Sequence, residues 1–345
     1  MTPDPERLLR LDLHTHMLPP QLPEMRVRSG YGGWIRLEHT APGRARMLQD
    51  DHLFREIEAD CWDALPRLEA MDRTAVDVQV LSTVPVLFSY WAQPADGMFL
   101  ARALNDHLAE VVAARSRRFV ALGTVPLQAP DLAIEELERC VKQLGMPGVQ
   151  IGSHVGLWNL DDPALFPFFQ AAADLGAAVF VHPWDMLAPE RTARYWMPWL
   201  VGMPTESTIA ICSVVFGGLL ERLPALRIAF AHGGGSFPGT FGRIEHGFAA
   251  RPDLVAINSP RPPAESLGRF WVDSLVHDPR MLRLIVDMVG SSRVALGTDY
   301  PFPLGEDVPG TTIDAVTDLT GAERADLYAR AALAFLGRPE GDFSR

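Results

Sequence analysis

Apolar positions along the chain fall into two alternating kinds of segment. Short runs that read as strands lie at 9–14, 77–82, 119–124, 148–152, 178–182, 227–232, 270–274 and 294–298. Several of them, such as Ala-Val-Phe-Val before His182, are apolar at every position, as strands covered on both faces are. Between them, apolar residues at helical spacing predict helices over 98–116, 131–144, 163–175, 206–222, 237–249 and 279–289. Eight strands joined by helical crossovers predict an α/β fold, a parallel (β/α)8 TIM barrel occupying 1–345, and not an open sheet. A doubly wound sheet calls for a glycine-rich phosphate turn after its first strand, and the residues following Leu13 (His-Thr-His-Met-Leu-Pro-Pro-Gln) are not one.

Two stretches interrupt the alternation. Residues 19–63 are rich in Gly, Pro, Arg and aromatics, with Gly30-Tyr31-Gly32-Gly33-Trp34 inside them. They are too long for an ordinary strand-to-helix loop and predict a small insertion, with strands of its own, over the barrel mouth. Residues 183–205 form a second, aromatic-rich excursion. It leaves the strand that carries His182, so it is expected to cover substrate as well as to pack.

The 345 residues are 48% hydrophobic, enough for a large core. A net charge of −12 argues against nucleic acid or an anionic membrane as partner. Cys61, Cys140 and Cys212 are too few and too scattered for a disulfide framework or a cysteine zinc site, and read as buried thiols. The first ten residues lack the apolar core of a signal peptide. No apolar run reaches about 18 residues without charges or breakers, so a soluble cytoplasmic protein is expected.

The chemistry collects at strand ends. His14 and His16 close the first predicted strand at i and i+2, which places both imidazoles on one face. His182, His232 and Asp299 each follow a short strand-like run in the same way. Alone, a His-X-His pair is no more than two polar residues at a strand end. Five such groups at the C-terminal ends of four strands lie where a barrel builds its active site. His14, His16, His182 and Asp299 supply three neutral donors and one anion, a set suited to one divalent ion. On zinc such a set brings bound water toward neutral pKa. His232 is a further ligand or a proton carrier; four ligands already satisfy zinc, which favours the acid/base role. Asp299 could instead orient a ligand. His39, His52, His107, His154, His246 and His277 read as structural or surface histidines. In so acidic a protein an anionic substrate needs local guanidinium groups, and Arg55, Arg243 and Arg251 are candidates that pattern alone does not rank.

With these residues in view, the chain resembles the 2-amino-3-carboxymuconate 6-semialdehyde decarboxylase family of the amidohydrolase superfamily. The resemblance runs from about Leu11 to Gly337, through DLHTHMLP, YGGW, LSTVPVLFSYWA, GMPGVQIGSHV, FVHPWDM, YWMPWLVGMPTESTIAICS, FAHGGGSFP, LVHDP and LGTDYPFPLGE. It implies an amidohydrolase-type barrel with one divalent ion, usually zinc, on His14, His16, His182 and Asp299. It implies His232 as acid/base, Arg55 and Arg243 as substrate-binding residues, and Trp196 and Phe302 in the pocket wall. It also implies a homodimer in which Arg243 reaches the neighbouring subunit's site. A lysine common in the family upstream of Arg55 is Gln49 here, which removes one contact to an anionic substrate. The expected reaction is nonoxidative, metal-assisted decarboxylation. The alternatives are decarboxylation of a related aromatic acid, hydrolysis by the same activated water, and a metal-binding barrel without catalysis. Strand four (Gly-Val-Gln-Ile-Gly) offers no lysine to bridge two metals, which disfavours a binuclear site.

Overall fold

A computed structural model describes residues 8–343. Eight parallel strands form the barrel: Leu11–His16, Val78–Ser82, Phe119–Ala121 continued by Gly123–Thr124, Gly148–Gly152, Ala178–His182, Arg227–Phe230, Trp271–Asp273 and Val294–Ala295. The third is interrupted at Leu122, whose N–H turns to the carbonyl of Leu81 on the second. The ring closes where Leu13 N–H reaches Leu296 O at 2.8 Å and Thr15 bridges Tyr300 in parallel. Alternation sorts the side chains: Ala178 and Phe180 fill the interior, while Val179 and Val181 face the helices. Residues of the C-terminal helix Ala331–Leu336, with Phe343, pack into that interior cluster.

Helices follow the predicted positions because their start and stop signals are local. Proline opens Pro94–Ala114, Pro130–Lys142 and Pro279–Val289, where a missing N–H costs nothing. Asp278 caps the last of these by accepting the Arg280 N–H. The helix expected over 206–222 instead begins at Met203 and breaks at Gly217–Gly218, after which Leu219–Arg222 makes one more turn. Gly218 has φ 67°, a left-handed conformation that suits glycine. The combined stretch Pro198–Phe216 is long and apolar enough, by length and composition, to cross a membrane. It is half buried, with Ala210, Ile211 and Val214 packed in the core, and it carries Pro204 and Glu206.

Within 19–63 the chain forms the short helix Met25–Ser29 and a three-stranded antiparallel sheet, Ile35–Ala41, Arg44–Gln49 and His52–Glu58. Trp34, Ile35, Met47 and Ile57 pack this sheet onto Val84, Val86 and Leu87, which follow the second barrel strand. The insertion is thereby fixed at the end of the barrel where the strands finish.

Candidate active site

The first strand is bulged between Asp12 and Thr15. Leu11 and Leu13 belong to the barrel interior, and past the bulge so does His14, whose ring lies 5.1 Å from that of Phe180. The eighth strand leaves its ladder early for a related reason. Past Ala295 the Leu296 N–H goes to Leu327 O, and the Asp299 N–H goes to His14 O at 2.8 Å. Gly297 makes this crossing feasible, since a Cβ there would lie 2.7 Å from Cβ of Asp273 and 3.0 Å from Cβ of His14. The carboxylate of Asp299 thus arrives beside the two first-strand histidines.

Ligand atoms of His14, His182, His232 and Asp299 all lie within 4.8 Å of one another. His16 joins the same cluster, its Nε2 3.2 Å from His14 Nε2 and 2.9 Å from Asp299 Oδ1. The tautomers of three rings follow from their partners. Nδ1 of His14 is 2.7 Å from Asp273 Oδ2, Nδ1 of His16 is 3.0 Å from Thr83 O, and Nδ1 of His182 is 2.9 Å from Pro183 O. Each partner only accepts, so each Nδ1 carries the proton and each Nε2 offers a lone pair to the common centre. Nε2 of His182 is buried with no hydrogen-bond partner among the described residues. An orphaned imidazole nitrogen aimed at two others and a carboxylate fits one metal ion. Gln150 stands on the fourth strand where a bridging lysine would be; it binds Thr83 O and the Ser82 hydroxyl, and so buttresses His16.

Electrostatics gives the candidate ligands the ionisation states a metal site needs. Burial would raise the Asp299 carboxyl, but hydrogen bonds from His16 and His232 hold it well below the usual range. Burial lowers His182 well below an ordinary histidine, and the neighbouring imidazoles add to it. Burial likewise lowers His16 against the pull of Asp299. For His232, burial lowers the ring and the Asp299 hydrogen bond outweighs it, leaving it raised. Asp12 is pushed up to about 8 by burial, opposed by the Thr298 hydroxyl it accepts at 2.6 Å.

A cleft opens beside the cluster, lined by His16, His182 and Asp299 on one side and by Arg55, Trp196 and Phe302 among others. The structure therefore brings Arg55, Trp196 and Phe302 to the metal-ligand candidates. Phe302 lies between His16 and Arg55: its ring is 5.6 Å from that of His16, and the Arg55 guanidinium sits 4.4 Å from its centroid. An adjoining lobe exposes His232 and shares Asp299, Trp199 and Met203 with the cleft. Arg243 is placed elsewhere: it is exposed on the helix Phe237–Ala250 and does not line the cleft of its own chain. Arg251 pairs with Asp253 on the surface, and Gln49 is exposed, donating to Gly33 O. The three cysteines are free.

Residues 11–338 match the amidohydrolase family. The chain belongs to that family. This amidohydrolase is 53% identical over 96% of its length to the 2-amino-3-carboxymuconate-6-semialdehyde decarboxylase of Dictyostelium discoideum, covering 92% of that protein. It is 38% identical to the enzyme of the same name from Caenorhabditis elegans, over 95% of this chain and 94% of that one. Among solved structures, 5-carboxyvanillate decarboxylase from Sphingomonas paucimobilis superposes with a TM-score of 0.82 at 24% identity, over 96% of this chain and all of that one. The (β/α)8 barrel is thus the fold of this family member.

Sequence reasoning missed Asp273. It ends the seventh strand, is fully buried, and accepts from His14 Nδ1, from the N–H groups of His232 and Gly233, and from Leu275 N–H. The available signal was an aspartate at the end of a predicted strand, the same signal that singled out Asp299. Arg67 was missed too: it is fully buried and donates to the carbonyls of His16 and Asp60, tying the first strand to the insertion.

Proposed function

We propose that this chain catalyses metal-dependent, nonoxidative decarboxylation of 2-amino-3-carboxymuconate 6-semialdehyde to 2-aminomuconate 6-semialdehyde and CO2. The observation that carries this is the convergence of three imidazole Nε2 atoms and one carboxylate beside Arg55, in a chain 53% identical to a decarboxylase of that name. His14, His16, His182 and Asp299 would hold one divalent ion, which we read as zinc. When bound, such an ion activates water and polarises substrate oxygens.

The remaining work falls to side chains. Arg55 is half-buried, and its guanidinium suits a substrate carboxylate through two parallel hydrogen bonds, which turns the scissile bond toward the metal cluster. Trp196 and Phe302 give the conjugated chain of the substrate flat apolar walls. His232, which faces the adjoining lobe, takes a proton from water and returns it to the carbon that loses its carboxylate, and the hydroxide left behind takes up a proton from solvent, the one proton the overall reaction consumes. A C–H bond then replaces the broken C–C bond as CO2 leaves. Arg243 is outward-facing, and we assign it to the neighbouring subunit's cleft in a homodimer.

The test is CO2 release from freshly generated substrate, with metal content determined on the same preparation. Release that stops on chelation and returns with metal supports the proposal. No release from a folded, fully metallated sample overturns the substrate and turns the reading to a related aromatic carboxylate.

A further inference from the structure

The excursion after the fifth strand supplies Trp184, Trp196 and Trp199 to the cleft wall. It is an awkward piece of chain. Asp185, Ala188, Tyr195 and Trp196 have φ of 55°, 52°, 60° and 56°, a left-handed region that disfavours residues with a Cβ. Such a conformation persists only where its surroundings hold it.

Two groups outside the metal cluster do the holding. Glu206, on the helix Met203–Phe216, is buried, and its Oε1 accepts the Leu187 N–H at 2.8 Å, between the strained Asp185 and Ala188. His154, just past the fourth barrel strand, reaches the same turn. Its Nε2 lies 3.1 Å from the carbonyl oxygen of Asp185 and 3.7 Å from Glu206 Oε2, and its Nδ1 lies 3.0 Å from the carbonyl oxygen of Gly156. Both ring nitrogens face oxygens that only accept. A neutral imidazole has one N–H and would turn a lone pair toward the other carbonyl; the doubly protonated ring donates to both.

The charged groups facing His154 are the Glu206 carboxylate on the helix and the Asp185 carboxylate on the excursion. Burial pushes the Glu206 carboxyl up, and the His154 charge draws it back.

We propose that His154 and Glu206 are positioning residues for substrate binding, a cation–carboxylate clamp that fixes the 185–188 turn and with it the tryptophan wall. This rests on the cleft being the substrate site, so its test includes a readout that needs no substrate.

Arg191 and Arg194 are exposed within the excursion and offer trypsin two cleavage points. Cleavage at a fixed pH, normalised to a small peptide substrate, should be roughly three- to tenfold faster in His154→Gln and in Glu206→Gln than in the wild type, as expected for one lost hydrogen bond. KM should rise in the same variants while kcat stays level. Folded variants that match the wild type in both cleavage and KM overturn the clamp, and so does a change in only one of the two variants. If cleavage behaves as stated and the substrate is not turned over, the clamp stands and the assigned substrate falls.

Discussion

Nδ1 of His14 and Oδ2 of Asp273 lie 2.7 Å apart between two side chains with no solvent exposure. The same carboxylate accepts the backbone N–H of His232 at 2.9 Å and that of Gly233 at 2.8 Å. His232 has φ 57°, so the turn that presents its ring is itself strained and needs those acceptors. One carboxylate thus orients His14, a candidate metal ligand, and His232, the proposed proton carrier, together. Burial would raise it, but the His14 hydrogen bond and the His232 charge keep it lowered and ionised. Asp273→Asn keeps the shape but replaces one acceptor oxygen with a donor that must face an N–H. Metal affinity, measured by competition with a chromophoric chelator, should fall roughly 10–100-fold with the circular dichroism spectrum retained. Unchanged affinity would refute this role.

His232 separates from the ligands by a different measurement. Its Nε2 is 3.8 Å from Asp299 Oδ2, and its Nδ1 is buried without a partner among the described residues. As a proton carrier it is dispensable for metal binding and required for turnover. His232→Ala should therefore keep stoichiometric metal while kcat drops roughly 10²–10⁴-fold. Loss of metal in step with activity would make His232 a ligand.

How much of this was legible beforehand follows from what each feature depends on. Strands and helices were readable because apolar periodicity and helix-initiating prolines are local. His14, His16, His182, His232 and Asp299 were readable because polar residues ending apolar strands all point to one barrel face. Asp273 carries the same signature but was passed over, since nothing local distinguishes an aspartate that binds a histidine from one that binds metal. The acceptors Thr83 O and Pro183 O had no signal at all, being backbone atoms whose partners are set by the fold. The bulge at Asp12–Thr15 was equally invisible, because strand phase is decided by pairing with the neighbouring strand. Trp184 and Trp199 belong to the excursion expected both to cover substrate and to pack, but nothing local set them apart from its other aromatics.

Metal removal should also register in stability. Without an ion the cluster leaves a buried nitrogen of His182 unpaired beside three other imidazoles. Binding to the folded state alone stabilises by about 2.7 kcal/mol at a free metal concentration of 100 times Kd. Chelation should lower the melting temperature by several degrees, and zinc titration should restore it in proportion to occupancy. A melting temperature indifferent to chelator, with metal loss verified, would argue against a resident ion at these residues.

Arg55 tests substrate recognition. Its guanidinium is stacked on Phe302 and partly desolvated, which favours a strong, directional bond to a carboxylate. Removing a hydrogen bond to a charged group costs about 1.5–3 kcal/mol, so Arg55→Ala should lower kcat/KM by roughly 10–150-fold. Arg55→Lys keeps the charge but loses the planar fork and should recover only part of it. Full activity in Arg55→Ala would remove this residue from the site.

Arg243 distinguishes a site built within one chain from one shared between two. It is exposed on its helix and does not line the cleft of its own chain, so any action on substrate requires a second copy. Arg243→Ala and His232→Ala should each be inactive alone. If the arginine acts across the interface, random exchange makes half of the dimers mixed, and in each mixed dimer one of the two sites combines an intact His232 with an intact Arg243. Mixing equal amounts should then restore about a quarter of wild-type activity. Recovery should grow with the time allowed for subunits to exchange, and a crosslinked control that blocks exchange should stay inactive. No recovery despite exchange seen by mass spectrometry would return Arg243 to the protein surface and leave Arg55 as the cation in the cleft.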